Sequence, residues 1–243
     1  MTSPYDPRFY EAVREGARRS AECIVPLVLD LVAPASVVDI GCGDGTWLAA
    51  FAARGIVDYL GLDGDYVDLK TLAIPRERFA ATDLTMPLTL GRSFDLAVSL
   101  EVAEHLPPER AEAFVASLCA AAPAVLFSAA VPHQGGRDHR NERWPEYWAG
   151  LFAARGYLAA DAIRDRIWDE PAVDWWYAQN TIVYARSETL AARPDLRVAA
   201  ARTDAARLTR IHPRNYERIG ELIAEKERRR NRFIRRVGRF LRG

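Results

Sequence analysis

Two carboxylates and an imidazole lie within five residues of one another in the segment Glu101-Val102-Ala103-Glu104-His105. Carboxylate oxygens suit a hard ion such as Mg²⁺, and the added imidazole also admits Mn²⁺, Fe²⁺ or Zn²⁺. A histidine in this position is equally able to act as a general base without any metal. The segment therefore predicts a divalent-metal site or a metal-free base, and a purely structural role remains open.

A second group with chemical potential is the glycine-rich segment Asp39-Ile40-Gly41-Cys42-Gly43-Asp44-Gly45, which follows a short β-branched run. Closely spaced glycines after a buried strand let the backbone approach a ligand, and the start of a helix adds free N–H groups. The spacing differs from the G-x-G-x-x-G of dinucleotide-binding folds, and no Lys-Ser/Thr follows as in a P-loop. The segment predicts a site for a different nucleotide-like cofactor.

The D-x-G-x-G-x-G pattern resembles motif I of the class I S-adenosylmethionine (SAM)-dependent methyltransferases. In that family a second acidic residue ends the next strand and takes the ribose hydroxyls, and a third lies near the adenine amino group. Asp63 and Asp83 match these two positions in order. The resemblance implies SAM as the cofactor, bound by residues at the strand ends: Asp39, Gly41, Cys42, Gly43, Trp47, Asp63, Gly64, Asp83, Leu84 and Leu100.

The E-x-x-E-H pattern resembles the metal-binding motif of ubiquinone-pathway O-methyltransferases and of small-RNA 2′-O-methyltransferases. In the latter a distal histidine after the fifth strand completes the metal shell; His139 is the preferred candidate here and His133 is its competitor. The resemblance implies a Mg²⁺ or Mn²⁺ ion held by Glu101, Glu104, His105 and His139, with His105 and His139 as catalytic residues. Many class I methyltransferases carry a Glu-His pair here without a metal, so the metal-free interpretation stays open.

Two aromatic-rich segments, Phe127–Trp148 and Val173–Asn180, resemble the type 23 methyltransferase group found in glycan and natural-product gene clusters. The similarity runs from about Tyr5 to Ala185. It implies O-methyl transfer to a hydroxyl of a sugar, glycan or glycosylated natural product. Aromatic faces suit sugar stacking, although core packing is the favoured explanation for any single tryptophan of these segments. RNA 2′-O-methylation, metal-free N-methylation and a non-catalytic SAM-binding module remain as alternatives.

The rest of the pattern predicts the fold that positions these residues. Apolar strands alternate with helical segments, which predicts a mostly parallel sheet with helices on both faces. The resemblance implies a Rossmann-like sheet of seven strands, the last of them antiparallel. The predicted strands are Ser36–Ile40, Val57–Asp63, Arg78–Ala81, Phe94–Leu100, Ala124–Ser128, Ala159–Ile167 and Asn180–Ala185. We expect a methyltransferase domain with an N-terminal cap helix over residues 1–190 and a helical extension over 191–243.

Composition bounds the class of protein. The 243 residues are 49% hydrophobic and 27% charged, as in soluble globular proteins. No apolar run approaches the length of a membrane span, and the first residues lack the apolar core of a signal peptide. Three cysteines without C-x-x-C spacing favour a reducing compartment and disfavour structural zinc. We expect a cytoplasmic protein.

Charge is distributed unevenly along the chain. Residues 226–243 contain nine Lys or Arg and one acid, a net charge of +8, so the neutral chain carries −8 in residues 1–225. The apolar residues of this tail recur on one face of a helix: Phe233, Ile234, Val237, Phe240 and Leu241. This basic amphipathic helix fits a peripheral membrane contact, or packing on the body or a partner. Nucleic acid is disfavoured because no basic patch is evident in the catalytic half.

Overall fold

The computed structural model describes residues 7–240, with side-chain surroundings for residue 11 and residues 13–233. Within this range seven strands form one sheet in the spatial order β3-β2-β1-β4-β5-β7-β6. The strands are β1 (Ser36–Ile40), β2 (Asp58–Asp63), β3 (Phe79–Ala81), β4 (Leu96–Leu100), β5 (Ala124–Ser128), β6 (Tyr157–Ala160) and β7 (Ile182–Arg186). The first five run parallel, and β7 lies antiparallel between β5 and β6. The predicted seven-stranded, Rossmann-like sheet is confirmed.

Helices cover both faces of this sheet. They are α1 (Pro7–Val32), α2 (Thr46–Ala52), α3 (Ala111–Ala121), α4 (Pro145–Ala153), α5 (Arg164–Ile167), α6 (Trp175–Asn180), α7 (Ser187–Ala192), α8 (Pro194–Arg202) and α9 (Pro213–Phe240). The core is divided in two, and the neighbours Val37 and Val38 of β1 belong to different clusters because successive side chains of a strand point to opposite faces. One cluster includes α1 and α2, and the other includes α3 and α4.

The register of the central strands brings the chemically active segments to one edge. Ile40 of β1 pairs with Leu62 of β2, and Leu100 of β4 pairs with Ser128 of β5. The backbone N–H groups of Gly41 and Cys42 both donate to the Leu62 carbonyl oxygen, at 2.8 and 3.1 Å, which keeps the start of the glycine loop against β2. The carboxyl ends of β1, β2 and β4 are therefore adjacent, as expected for the ligand edge of an open α/β sheet.

One predicted strand, Ala159–Ile167, is wrong over most of its length. The structure ends β6 at Ala160, and the segment continues into the single turn of α5. The buried guanidinium of Arg164 makes two hydrogen bonds to the Asp161 carboxylate, at 2.9 and 2.6 Å, which holds this turn. Ile163 and Ile167 pack in the core four residues apart, a helical spacing that a short apolar run does not distinguish from a strand.

The C-terminal helix is present and is longer than the amphipathic segment that the sequence pattern indicates. α9 begins at Pro213, a residue whose fixed φ suits the first helical position. Its first turn is buried at Asn215, whereas most positions between 220 and 233 are exposed. The predicted apolar face lies mostly outside the described residues, because the side chains of 234–240 and all of 241–243 are not described. Between residues 7 and 240, no helix combines the length and the apolar character needed to cross a bilayer.

Candidate active site

An open cavity of about 930 Å³ lies at the carboxyl ends of β1, β2 and β4. Its volume is in the range of small-molecule sites. Six of the ten predicted cofactor-binding residues line it: Gly41, Gly43, Asp63, Gly64, Asp83 and Leu84. The other four are buried: Asp39 in β1, Leu100 at the end of β4, Cys42 in the glycine loop and Trp47 in α2. The predicted cofactor residues therefore either line the cavity or lie buried in the elements that surround it.

The glycine loop has a conformation that only glycine adopts easily. Gly41, Gly43 and Gly45 have φ angles of +91°, +55° and +82°. A Cβ atom at Gly41 would overlap the side chain of Val102, which follows β4. The loop is also tied to α1, because Arg14 Nε lies 2.6 Å from Asp44 Oδ2. These features hold the loop backbone close against the cavity.

Asp63 ends β2 at the cavity wall, and both oxygens of its carboxylate accept hydrogen bonds. Its Oδ2 accepts from the Gly43 N–H at 2.6 Å, which joins β2 to the glycine loop. Its Oδ1 accepts from the Gly64 N–H at 2.7 Å and from the hydroxyl of Tyr66. The Tyr66 hydroxyl shows that this oxygen is accessible to a hydroxyl donor from the cavity side.

The other two acids of the cofactor region differ in environment. Asp39 is buried, and its Oδ2 has no hydrogen-bond partner among the described residues. Burial, followed by the nearby charges of Asp63 and Asp44, raises the pKa of Asp39 well above its usual range. Asp83 Oδ1 accepts from the Thr85 hydroxyl and N–H at 2.6 and 2.9 Å, and these bonds lower the pKa of Asp83.

Three of the four predicted metal ligands form one group. The ligand atoms of Glu104, His105 and His139 all lie within 4.8 Å of one another. The two imidazole rings meet edge to face, with centroids 4.8 Å apart. Glu104 is fully buried, and neither of its carboxylate oxygens has a hydrogen-bond partner among the described residues. Because an unpaired buried carboxylate is costly, this donor set fits a divalent cation.

The same surroundings shift the pKa values of two of these groups. Burial, and then the charge of Glu101, raises the pKa of Glu104 well above its usual range. Burial, and then proximity to His139, lowers the pKa of His105. Near neutral pH His105 is therefore the neutral imidazole, the form that either binds a metal or accepts a proton.

A loop centred on Glu142 positions His139. The Glu142 carboxylate accepts from His139 Nδ1 at 2.9 Å and from the backbone N–H groups of His133 and Gly135 at 2.8 and 2.7 Å. Because an ionised carboxylate only accepts, Nδ1 carries a hydrogen, and Nε2 is the ring nitrogen left outside this contact. A Cβ atom at Gly136 would overlap His139 Nε2. The side chain of His133, the competing candidate, is exposed and lies outside the three-residue group.

Glu101 lies outside the three-residue group. It lines the cavity together with His105, whereas Glu104 and His139 are not among the lining residues. Its Oε1 accepts from Asn180 Nδ2 at 3.1 Å, and its Oε2 accepts from Gln134 Nε2 at 2.8 Å. Its φ of +55° is unusual for a non-glycine residue. Burial raises the pKa of Glu101, and hydrogen bonds from Asn180, Ser128 and Gln134 oppose this rise. Its assignment as a metal ligand stays a prediction.

Sequence reasoning missed the amides that surround Glu101. The predicted strand Asn180–Ala185 is wrong at its start, because Asn180 ends α6 and β7 begins at Ile182. Gln134 lies in the segment Phe127–Trp148, and neither amide belongs to a motif with a known chemical role. The only signal was that the polar pair Gln179-Asn180 adjoins an apolar run, a place where a buried polar side chain needs a partner.

The tryptophans of the aromatic segments divide between core and surface. Trp148 is buried against Phe127, with ring centroids 5.4 Å apart. Trp144 and Tyr147 are exposed at the start of α4, and the Arg143 guanidinium lies over the Tyr147 ring at 5.1 Å. Trp148 is therefore a core residue, and Trp144 has a face open to solvent.

The chain matches one protein family over most of its length. A family model described as a methyltransferase domain matches residues 12–191. No curated protein sequence matches the chain.

Several solved structures share the fold. DesVI from Streptomyces venezuelae is 17% identical, with a TM-score of 0.53 over 74% of this chain and 96% of its own. CalS10 from Micromonospora echinaspora, an amino pentose methyltransferase solved with SAM bound, is 17% identical, with a TM-score of 0.54 over 77% of this chain and 99% of its own. Magnesium protoporphyrin IX methyltransferase (ChlM) from Synechocystis PCC 6803, also solved with SAM, is 21% identical, with a TM-score of 0.51 over 73% of this chain and 83% of its own.

Proposed function

The chain belongs to the methyltransferase domain family and is a SAM-dependent methyltransferase. From that premise we propose that it methylates a hydroxyl of a sugar, glycan or glycosylated natural product with the help of a divalent metal ion. The observation that carries the metal half of this proposal is the buried Glu104 carboxylate without a partner, beside two imidazoles. A small-molecule acceptor follows from the family; the sugar and the metal are the proposal.

Acidic side chains carry the cofactor half of the proposal. We assign Asp63 to the ribose hydroxyls, because its Oδ1 already accepts from a hydroxyl on the cavity side. Asp83, whose pKa is lowered by Thr85, takes the adenine amino group. Asp39 lies buried behind the glycine loop, and we assign it to holding that loop against the cofactor. SAM supplies the electrophilic methyl group, and these residues hold and orient it.

The metal would be held by Glu104, His105 and His139 Nε2, with Glu101 beside them. A bound divalent ion lowers the pKa of a hydroxyl attached to it, which makes an alcohol a competent nucleophile. The protein holds the acceptor oxygen close to the cofactor, and much of the rate comes from this positioning. Without an ion, the neutral ring of His105 remains as the proton acceptor at the cavity wall.

The acceptor side of the proposal rests on exposed aromatic groups near the histidine loop. Trp144 follows this loop directly and is exposed, which suits stacking against a sugar ring. Tyr147 is also exposed, but the Arg143 guanidinium already lies over its ring. A sugar acceptor has a precedent within the fold, since CalS10 is an amino pentose methyltransferase. We favour oxygen over nitrogen as the accepting atom because an amine needs no metal to become a nucleophile.

The test is methyl transfer from labelled SAM to a panel of glycosides, their deoxy analogues, an amino sugar and a short RNA. We expect transfer to a glycoside that stops with EDTA, returns with Mn²⁺ or Mg²⁺, and fails with one deoxy analogue. Glu104→Gln should lose metal-dependent transfer and keep SAM binding in calorimetry. Glu109→Gln, an exposed glutamate five residues away, serves as the matched control. Methyl transfer that is unaffected by EDTA would contradict the proposed metal dependence. Transfer only to RNA or only to the amino sugar would contradict the proposed sugar hydroxyl acceptor.

We also propose that the domain ends near residue 190 and that the C-terminal extension contacts an anionic membrane surface. Leu222, Ile223 and Phe233 are exposed on α9, and residues 226–243 carry a charge of +8. Apolar and basic groups on one helix are the combination that binds anionic lipid. Vesicles of neutral and of anionic lipid should separate the outcomes: flotation only with anionic vesicles supports the contact. Flotation unchanged when Arg228, Arg229 and Arg230 are replaced by Glu contradicts it, with Arg207→Glu, outside α9, as the control.

A further inference from the structure

Four buried amide side chains connect the first turn of α9 to Glu101. They are Gln134, Gln179, Asn180 and Asn215, and none is more than 5% exposed. Gln179 lies at the centre and contacts a partner on both sides. Asn215 and the residues after it lie beyond residue 191, where the family match ends. The α9 end of this connection therefore lies outside the matched residues.

The start of α9 fixes the orientation of Gln179. The backbone N–H of His212 donates to Gln179 Oε1 at 2.9 Å, and Asn215 Nδ2 donates to the same oxygen at 3.0 Å. A backbone N–H only donates, so the oxygen of Gln179 must face α9 and its NH₂ group must face the other way. The helix start thereby determines which way round the central amide lies.

The orientation of Gln179 then determines the next two amides. Gln179 Nε2 donates to Asn180 Oδ1 at 3.0 Å and to Gln134 Oε1 at 3.2 Å. Gln134 Oε1 also accepts from the Val131 N–H at 3.2 Å, a second backbone donor. The NH₂ groups of Asn180 and Gln134 are left to donate to Glu101 Oε1 and Oε2. The hydrogen bonds that link α9 to Glu101 through these amides therefore run from the helix towards the carboxylate, and Asn180 Nδ2 also donates to Gln134 Oε1 at 2.9 Å.

A second link joins α9 to the histidine loop. Arg218 Nη2 donates to the carbonyl oxygen of Gln134, to that of His133 at 3.3 Å, and to Asn215 Oδ1 at 3.2 Å. The loop that begins with these two residues carries His139 and is closed by Glu142. The first two turns of α9 thus contact both the amides around Glu101 and the loop that presents His139.

We propose that residues 212–218 at the start of α9 are a positioning part of the catalytic centre, acting through Gln179 on Glu101 and through Arg218 on the loop of His139. This inference rests on the proposed function for its readout of metal binding and turnover. The first turn of α9 holds Glu101 and His139 in place, and none of its residues touches cofactor or acceptor. A disturbance there should weaken metal binding and lower kcat, while SAM binding by Asp63, Asp83 and the glycine loop is kept.

The test variant is Asn215→Asp in the full chain, which replaces the NH₂ group facing Gln179 Oε1 by an oxygen. Asn231→Asp, the same substitution at an exposed position of the same helix, is the control. We expect Mn²⁺ affinity, measured by electron paramagnetic resonance, to fall about tenfold in Asn215→Asp. SAM affinity should stay within about twofold by calorimetry. The factor by which kcat falls should exceed the factor by which KM changes. Equal losses of Mn²⁺ and SAM affinity, or unchanged Mn²⁺ affinity in a folded variant, would overturn the proposal.

Two further measurements keep the inference open to refutation. Arg218→Ala, compared with Arg214→Ala on the same turn, is a milder variant if Asn215→Asp does not fold, and the same pattern is expected at smaller size. Side-chain amide signals of Gln134 and Asn180 in nuclear magnetic resonance should shift in Asn215→Asp and not in Asn231→Asp. Unshifted signals would refute the connection. Wild-type protein that binds no Mn²⁺ and transfers no methyl group would contradict the proposed function. The side-chain amide signals of Gln134 and Asn180 would still test whether α9 is connected to Glu101.

Discussion

At the scale of single residues, Glu104 carries the greatest weight, because its buried carboxylate has no hydrogen-bond partner among the described residues. Such a group is usually paired, protonated or bound to a metal. His105 and His139 are near enough to share an ion with it. Glu101 is different, since amides already satisfy both of its oxygens. The two glutamates of one motif thus have distinct environments, which their spacing alone does not reveal.

Glu104→Gln should stabilise the metal-free protein at alkaline pH. The pKa of Glu104 is raised in the folded state. The protonated side chain therefore contributes fully to the free energy of unfolding below the ordinary carboxyl pKa, and this contribution is lost as pH rises through the raised pKa. We expect the variant to gain about 1–3 kcal/mol over the wild type at the alkaline end, read from urea unfolding across pH. Added Mn²⁺ should stabilise only the wild type. A variant less stable by the same amount at every pH would contradict this.

Gly136→Ala should displace His139, because the new methyl group overlaps its Nε2 atom. A shift of about 1 Å in a catalytic group costs up to roughly 10²-fold in rate. We expect kcat to fall by that order, with SAM affinity unchanged in calorimetry. Gly91→Ala, where a methyl group meets nothing within 4 Å, is the control. Full activity of Gly136→Ala would show that His139 has no part in the reaction.

Tyr66→Phe should bind SAM more tightly. The Tyr66 hydroxyl donates to the oxygen of Asp63 that we assign to the ribose, so the cofactor has to displace it. Removing that hydroxyl should improve binding by about 0.5–1.5 kcal/mol, the usual net value of one hydrogen bond. Calorimetric titration measures this, with Tyr216→Phe on exposed α9 as the control. Weaker binding would mean that Tyr66 helps to hold the cofactor.

At the scale of elements, the sequence predicts the central strands well. Val37 and Val38 are buried on opposite faces, so β1 is a continuous apolar run that no amphipathic helix would show. The end of β6 was not predictable, because Ile163 and Ile167 continue the apolar pattern into a helical turn. The amide connection between α9 and Glu101 could not be predicted from the sequence either. Gln134 and Asn215 lie 81 residues apart in the chain, and only the fold brings them into one network.

The two parts of α9 should be separable by truncation. A chain ending at residue 225 keeps the buried first turn of α9, whereas a chain ending at residue 209 loses His212 and Asn215 and leaves Gln179 Oε1 without its donors. We expect the longer chain to match the full protein in Mn²⁺ affinity and thermal midpoint. The shorter chain should lose about 1–3 kcal/mol of stability for the unsatisfied buried amide. Identical midpoints in denaturation of all three chains would contradict this division.

At the scale of the whole molecule, charge and topology act together. The acidic residues Asp63, Asp83 and Glu101 line one cavity, and the excess of basic residues lies in the tail. A sheet that collects carboxylates at one edge favours a cationic cofactor and a metal ion there. The same separation of charge leaves the tail free to meet an anionic surface, and such a contact should weaken as ionic strength rises. Sequence reasoning predicts this division of charge, because it needs only composition along the chain.

The central claim is that Glu104, His105 and His139 hold a divalent ion next to the SAM cavity. The most direct measurement is anomalous X-ray scattering from crystals grown with S-adenosylhomocysteine and Mn²⁺. The account predicts one strong manganese peak between these three side chains, and its absence in crystals of Glu104→Gln. Crystals with S-adenosylhomocysteine in the cavity and no manganese at the three side chains would contradict it.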